Sequence, residues 1–222
     1  MSITSKVLAA VATVTVAGGL SMAGTLPASA ATPQCGPHCI QIFSAKFGTP
    51  ASPGFVETVF QGAAQAGQPT ILASPSSSSP AGDLIVSRAG PVSAFFAAGL
   101  VSAAVNRHYG PETAVQIEYA PLGVPTGLCA ALATTAFQNE GLSLQPCSVP
   151  GTTVWIKDFN DSSATSYFPL VNGSTTDFCH PFGMTVNGDP ARKLLPQIKV
   201  RHLIDNPADV PDSQLWGANL LN

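Results

Sequence analysis

Charged side chains are scarce in this chain of 222 residues, where only 9% are Asp, Glu, Lys or Arg. Long surface helices need many charged positions, so the shortage argues against a helical protein. The nine Lys and Arg are scattered singly apart from Arg192-Lys193 and Lys199/Arg201, and the formal net charge is -3. Because nucleic-acid binding needs clustered cations, the composition predicts that the protein binds no nucleic acid.

Apolar runs long enough to span a membrane are also lacking. The longest, residues 7–20, holds about 14 residues, whereas a membrane-spanning helix needs roughly 20. It follows Lys6 and ends in small residues at Pro27-Ala28-Ser29-Ala30-Ala31, an A-x-A-like cleavage site. We therefore predict that residues 1–31 are a signal peptide, Ala-rich as in bacteria. Cleavage would release residues 32–222 as a secreted, extracellular protein with no membrane span.

Familiar catalytic and metal-binding motifs are missing. The chain contains no G-x-S-x-G, no H-E-x-x-H, no zinc pattern of two Cys and two His, and no Gly-rich phosphate loop. Its four histidines are far apart in sequence: His38, His108, His180 and His202. Carboxylate pairs such as Glu112/Glu118 and Asp158/Asp161 have spacings typical of solvated turns. These absences predict a non-catalytic protein without a metal or cofactor.

Short runs of β-branched, aromatic and apolar residues fill the rest of the chain, separated by turns that use many of its 20 Gly and 20 Pro. Residues 91–105 are the exception, an Ala-rich stretch that is either a helical turn or an irregular insertion. About 190 residues after cleavage suit one domain. We therefore predict a single all-β domain over 32–222, with strands at 40–47, 55–60, 69–73, 84–87, 115–119, 128–132, 142–145, 153–157, 167–171, 182–186, 197–203 and 214–217.

Five cysteines remain in the exported part, and an oxidising compartment favours disulfides. Cys129 and Cys147 bracket a hairpin-sized segment and are the first predicted pair. Cys35-Gly36-Pro37-His38-Cys39 is predicted to hold a local Cys35–Cys39 bridge. A soft-metal site and a bridge from either cysteine to Cys179 remain alternatives. Otherwise Cys179 is the unpaired cysteine.

Three segments share an order of features. The middle one runs from GLCAAL at 127–132 through NEGLSLQPC at 139–147 to TTVWI at 152–156. The first covers 54–86, and the last covers 182–216 and ends in Gln214-Leu215-Trp216. These motifs resemble the ricin-B type of β-trefoil, whose repeats carry two cysteines and end in Q-x-W. The middle repeat matches best, with Cys129 and Cys147 where that repeat's internal disulfide lies.

The resemblance implies a barrel of twelve strands with three-fold pseudosymmetry, with Trp155 and Trp216 in its core. Another β-barrel or a β-sandwich is the alternative. The aspartate that binds sugar in ricin-B repeats would fall on Ala131, Thr58 and Thr185, none of which is acidic. Glu57 is one residue away and would point to the opposite face of its strand. Exposed aromatic rings that could stack on a sugar are predicted instead at Tyr109, Tyr119, Tyr167 and Phe137, with an ordinary, partly buried ring as the alternative for each.

We therefore expect a secreted, lectin-like binding module for a carbohydrate or a cell-surface polymer. A protein-binding or inhibitor role, through loops 75–80 or 121–126, is the second hypothesis. An extracellular hydrolase with an unfamiliar site is the third. A lectin predicts a shallow polar groove beside an exposed ring and an Asp or Asn. An inhibitor predicts a rigid protruding loop, and an enzyme predicts a deep pocket with convergent titratable groups.

Overall fold

The computed structural model describes residues 39–74, 83–159, 166–188, 198–203 and 209–220. Within them, twelve strands form one antiparallel sheet. In chain order these are β1 (Cys39–Ser44), β2 (Val56–Val59), β3 (Thr70–Ala73), β4 (Leu84–Pro91), β5 (Thr113–Tyr119), β6 (Leu128–Ala131), β7 (Ser143–Pro146), β8 (Trp155–Lys157), β9 (Leu170–Asn172), β10 (Phe182–Val186), β11 (Ile198–His202) and β12 (Trp216–Leu220). Each overlaps one predicted run, so the all-β prediction is confirmed.

Six of the strands form a nearly closed barrel. The pairs run β12–β1, β1–β4, β4–β5, β5–β8 and β8–β9. A bridge between Phe168 and Trp216 joins the segment before β9 to β12 and completes the circuit. Closure of this kind leaves no long unpaired edge.

The other six strands form three hairpins, β2–β3, β6–β7 and β10–β11. The backbone N–H of Gly67 donates to Leu144 O over 2.7 Å, and that of Leu142 donates to Ile198 O over 2.8 Å. These bonds join the hairpins across one end of the barrel. A six-stranded barrel with three hairpins at one end, each in the same place in its repeat, is a β-trefoil. The predicted fold is therefore confirmed.

The strand registers give the residues that are equivalent in the three repeats. Leu72, Leu144 and Val200 take matching positions, and their partners across each hairpin are Glu57, Ala130 and Met184. Leu84, Trp155 and Trp216 begin the last strand of each repeat. The indole N–H of Trp155 donates to Ala130 O and that of Trp216 to Met184 O, over 2.8 and 2.9 Å. Both tryptophans are fully buried, as the resemblance implied.

Two short helices, α1 (Val92–Ala97) and α2 (Ala103–Tyr109), lie between β4 and β5. They cover most of the Ala-rich stretch at 91–105, for which the sequence allowed either a helical turn or an irregular insertion. Val92 and Phe95 of α1 and Val105 of α2 pack in a second apolar cluster outside the barrel, together with Ile156. The helices are thereby held against the outer face of the barrel.

Cys129 and Cys147 form a disulfide with 4.9 Å between their Cα atoms, which links the start of β6 to the end of β7. Cys39 is also disulfide-bonded. Cys35, its predicted partner, lies outside the described residues, as does the predicted signal peptide. Cys179 is exposed and unbonded. Among the described residues, no helix is long and apolar enough to cross a membrane.

Candidate functional site

The positions expected for a sugar-binding aspartate are closed to a ligand. Thr58, Ala131 and Thr185 follow the equivalent residues Glu57, Ala130 and Met184, so the registers place them at one matched position. All three are at most 2% exposed. The usual site of ricin-B repeats is therefore absent from all three repeats.

Two of the predicted stacking rings are buried, which corrects the expectation that they are exposed. Tyr109 is 4% and Tyr119 is 1% exposed. Tyr119 lies on the inward face of β5 with Val115 and Ile117, and its hydroxyl donates to Gly62 O over 2.8 Å. Tyr109 follows Val105 by one helical turn and packs on the same apolar cluster. Neither ring can present a face to a sugar.

The other two rings are more accessible. Tyr167 is half-buried; its hydroxyl donates to Gly48 O over 3.2 Å and its ring meets the edge of Phe43. Phe137 is 54% exposed. Of the four predicted rings, Phe137 is therefore the one with a free face.

A shallow cleft of about 410 Å³ lies between the α1–α2, β6–β7 and β7–β8 connections and the loop after β9. We call it the polar cleft. Five of the side chains that line it carry hydroxyl groups: Ser102, Thr135, Ser174, Thr175 and Thr176. Thr135 and Thr176 are exposed, and Phe137 lies two residues beyond Thr135. The polar cleft thus presents hydroxyl donors and acceptors, and an exposed aromatic ring lies two residues along the chain from its wall.

Glycine and internal hydrogen bonds fix the walls of the polar cleft. Gly151 has φ +73, and a Cβ there would lie 3.1 Å from that of Ser174, so glycine lets these two loops approach closely. The Ser174 hydroxyl donates to Asn172 Oδ1 over 2.6 Å and accepts from Ala136 N–H over 3.0 Å. The Asn172 amide in turn donates to Thr152 O over 3.0 Å. The cleft is therefore preorganised rather than formed by mobile side chains.

Asp177 follows Thr176 directly and adds a carboxylate next to the polar cleft. Its Oδ1 accepts the backbone N–H groups of Cys179 and His180, each over 3.0 Å. Its Oδ2 lies 3.7 Å from His180 Nδ1. The His180 backbone N–H, more than any other group, lowers the pKa of Asp177, so this carboxylate stays ionised at neutral pH. The Asp177 side chain is 43% exposed, so the turn holds this carboxylate in place while it stays accessible to solvent.

The fold also brings together His180 and His202, which are remote in sequence, and packs His108 against the same loop. The His202 ring stacks at 4.0 Å on Phe182, and the His180 ring centroid lies 6.2 Å from that of His202. His202 Nδ1 meets the carbonyl of His180 over 2.5 Å. Two residues before His180 in the same loop, Phe178 packs at 5.0 Å on the ring of His108 from α2. No spacing in the sequence predicted this histidine surface, because its members come from α2, the β9–β10 loop and β11.

Amide and guanidinium groups border the histidine surface on the side of Phe137. The side-chain Oε1 of Gln138 accepts the backbone N–H of His202 over 3.1 Å, and Asn139 Oδ1 accepts from Arg201 Nε over 2.8 Å. Within the described part of the chain, no group of three or more His, Cys, Asp and Glu side chains could hold a metal ion. Carboxylate, amide, hydroxyl and planar rings together suit a polyhydroxylated ligand, which needs hydrogen bonds at its edges and stacking on its face.

Fold comparison agrees with the topology described above. The designed three-fold symmetric protein ThreeFoil matches with a TM-score of 0.54 and 10% identity, over 83% of this chain and 99% of that one. A mosquitocidal holotoxin matches with a TM-score of 0.52 and 12% identity, over 84% of this chain but 18% of the toxin chain. At these identities the likeness shows the fold alone. No protein-family model and no curated protein sequence matches this chain.

Proposed function

We propose that this protein is a non-catalytic, extracellular binding module that takes a carbohydrate or a cell-surface polymer in the polar cleft. The observation that carries the proposal is a cleft lined by hydroxyl side chains, of which Thr135 and Thr176 are exposed, with the exposed ring of Phe137 and the carboxylate of Asp177 following those two residues closely along the chain. The ricin-B-type motifs of the sequence favour the same class of ligand. Since the position of the ricin-B aspartate is buried in every repeat, the polar cleft is the proposed sugar-binding site instead.

Each component has a role that sugar chemistry requires. Phe137 offers a flat apolar surface to the C–H face of a pyranose ring. Asp177 accepts hydrogen bonds from sugar hydroxyl groups, and bonds to a charged acceptor are stronger than neutral ones. The hydroxyl side chains of Thr135 and Thr176 both donate and accept. The open shape of the cleft fits one unit of a longer polymer better than it fits an enclosed small molecule.

A glycan and polysaccharide binding screen on the purified, oxidised protein tests the proposal. We expect reproducible binding that a free sugar competes away. Asp177→Asn should weaken it about tenfold, because the change removes the charge while keeping the shape. Thr176→Trp should abolish binding by filling the cleft. Asp212→Asn is the matched control for charge, and it should bind like the wild type.

Phe137→Ala separates stacking from hydrogen bonding. We expect it to weaken binding by about tenfold, within the range measured for aromatic contacts. The control is Phe60→Ala, which removes another exposed ring from the β2–β3 hairpin. If the three cleft variants, Asp177→Asn, Thr176→Trp and Phe137→Ala, all bind as the wild type does, the ligand lies elsewhere and the polar cleft is not the site.

A second candidate function, protein binding, is favoured by loop 121–126. Leu122 and Val124 are 59% and 63% exposed, which is unusual for large apolar side chains. The loop is nevertheless fixed: Gly127 N–H donates to Glu118 Oε1 and the Thr126 hydroxyl donates to Tyr119 O, both over 2.6 Å. A rigid loop with apolar side chains at its tip is the feature expected of an inhibitor.

Leu122→Asp tests this second function. If the protein binds a partner protein through the loop, the variant should lose the partner while retaining carbohydrate binding. A partner that binds the variant and the wild type equally would exclude the loop as its contact. The companion loop at 75–80 lies outside the described residues.

A further inference from the structure

The end of the barrel opposite the hairpins opens into a second, chemically different cavity. Its volume is about 280 Å³. Strands β1, β5 and β9 each lead into one of the three hairpins, so their last residues lie at the hairpin end of the barrel. The cavity is lined by residues earlier along these strands, such as Ile40, Val115 and Leu170. The cavity is therefore the open mouth of the barrel, separate from the polar cleft, and we call it the barrel mouth.

The floor of the barrel mouth is apolar and well packed. Ile42 and Ile117 are 3% and 1% exposed and belong to the main core cluster. At the rim, Val86 is 38% and Leu220 is 69% exposed. Apolar surface that is open to solvent at the end of a packed core costs free energy, and covering it with an apolar ligand recovers part of that cost.

Lys157 is the charged side chain among the residues that line the barrel mouth. It follows Trp155 by two residues on β8 and so shares that residue's inward face. The equivalent positions in the other repeats, two residues after Leu84 and Trp216, are Val86 and Ala218. The middle repeat thus places a cation where the pattern of the barrel calls for a small apolar residue.

The ammonium group of Lys157 has no anionic partner among the residues that the structure describes. It lies 4.9 Å from the centre of the Phe168 ring, and no carboxylate of the described residues pairs with it. Partial burial lowers the pKa of Lys157, because desolvation disfavours the charged ammonium group. A half-buried cation at the rim of an apolar cavity is complementary to a molecule with one acidic group and an apolar tail.

We propose that the barrel mouth binds an amphipathic monocarboxylate, with the acid on the Lys157 ammonium and the hydrocarbon tail between Ile42 and Ile117. The cavity volume of about 280 Å³ lies just below the usual range for small-molecule sites, so the tail is short, as in a medium-chain fatty acid. This ligand and the carbohydrate would occupy different sites. The two proposals can therefore fail independently.

Calorimetric titration of the purified protein with octanoate tests the proposal. We expect saturable binding with one site per chain, and weaker binding of octan-1-ol and octylamine, which lack the anion. Lys157→Met keeps the apolar stem but removes the charge, and it should weaken octanoate binding by about tenfold or more. Binding of octan-1-ol should change little. Lys46→Met is the matched control, since Lys46 also lies over a phenylalanine ring, at 5.4 Å from Phe47.

A filling variant checks the location. Ala218→Phe should exclude both octanoate and octan-1-ol, whereas Thr176→Trp in the polar cleft should affect neither. Lys157→Met should fold normally because Val86 and Ala218 occupy the equivalent positions, and urea unfolding verifies this. The proposal is overturned if octanoate does not bind at millimolar concentration, if Lys157→Met binds it as the wild type does, or if Ala218→Phe leaves its affinity unchanged.

Discussion

Glu57 should make this protein less stable as the pH rises, whereas carboxylates that are paired in the native state have the opposite effect. Its side chain is fully buried in the hairpin region, at the position that Ala130 and Met184 fill in the other repeats. Neither carboxyl oxygen makes a hydrogen bond to a described residue. Burial raises the pKa of Glu57 from 4.5 to about 8, and the nearby Thr70 hydroxyl opposes the shift without reaching hydrogen-bond geometry. At neutral pH the native state therefore holds this carboxyl group protonated.

The direction and size of the effect follow from proton linkage. Below pH 4.5, Glu57 is protonated in both states, so its contribution to stability is fully present. Between pH 4.5 and about 8 the unfolded chain ionises and the folded protein does not, so the folding equilibrium falls about tenfold per pH unit. The total loss approaches about 5 kcal/mol, and the curve flattens above pH 8. Asp83 adds to the lower part of this window, because burial raises its pKa from 3.8 to about 6.

Urea unfolding at pH 5, 6, 7 and 8, followed by the fluorescence of buried Trp155 and Trp216, measures this slope. Glu57→Gln removes the titrating group, so the difference between its curve and the wild-type curve isolates Glu57 from Asp83. Glu57→Met should stabilise the protein at pH 8, because Met184 already occupies the equivalent site. Parallel curves for the wild type and Glu57→Gln would refute the reasoning.

Three further predictions concern the bridge, the free thiol and a close backbone contact. Cys129→Ser opens a loop of 18 residues and should lower the free energy of unfolding by roughly 3 kcal/mol; an unchanged thermal midpoint in oxidising buffer would exclude the bridge. Native protein should take up one equivalent of a thiol reagent at exposed Cys179, and Cys179→Ser should take up none; continued labelling of that variant would show an open bridge elsewhere. Gly48→Ala should destabilise the protein by about 1–3 kcal/mol, since its Cβ would lie 2.0 Å from Pro53 O. Gly90→Ala is the control, because a Cβ there meets nothing nearer than 4.0 Å. Equal thermal midpoints for these two variants would contradict the contact.

The strand pattern was predictable because each strand has a local signal. Alternating apolar residues and turn formers located all twelve strands, and Trp155 and Trp216 marked the ends of two repeats. The sequence did not predict that β4 continues to Pro91 or that β5 begins at Thr113. These ends of the two strands lie next to the helices and include Gly and Thr, whose own preference for a strand is a weak signal. Pairing with the neighbouring strand fixes those residues instead.

The site residues were harder to predict because the relevant information is not local. Tyr109 and Tyr119 were misjudged as exposed, although Val105 one turn earlier and the alternation of Val115 and Ile117 both indicate an inward direction. Asp177 was missed altogether. Its role depends on a loop that meets residues from α2 and β11, and no spacing in the sequence reports that meeting.

Lys157 carries a signal that sequence reasoning could have used. It stands two residues after a tryptophan predicted to be in the core, so the strand period places it on the inward face. A cation at that position conflicts with the apolar pattern of the barrel. Such local conflicts are where functional sites are expected.

The most direct test of the proposed binding function is a glycan and polysaccharide screen that compares the wild type with Thr176→Trp, both shown to be folded by urea unfolding. We predict that the wild type binds at least one glycan in competition with free sugar and that Thr176→Trp does not bind it. Absence of binding by the folded wild type, or equal binding by both proteins, would contradict a carbohydrate site in the polar cleft.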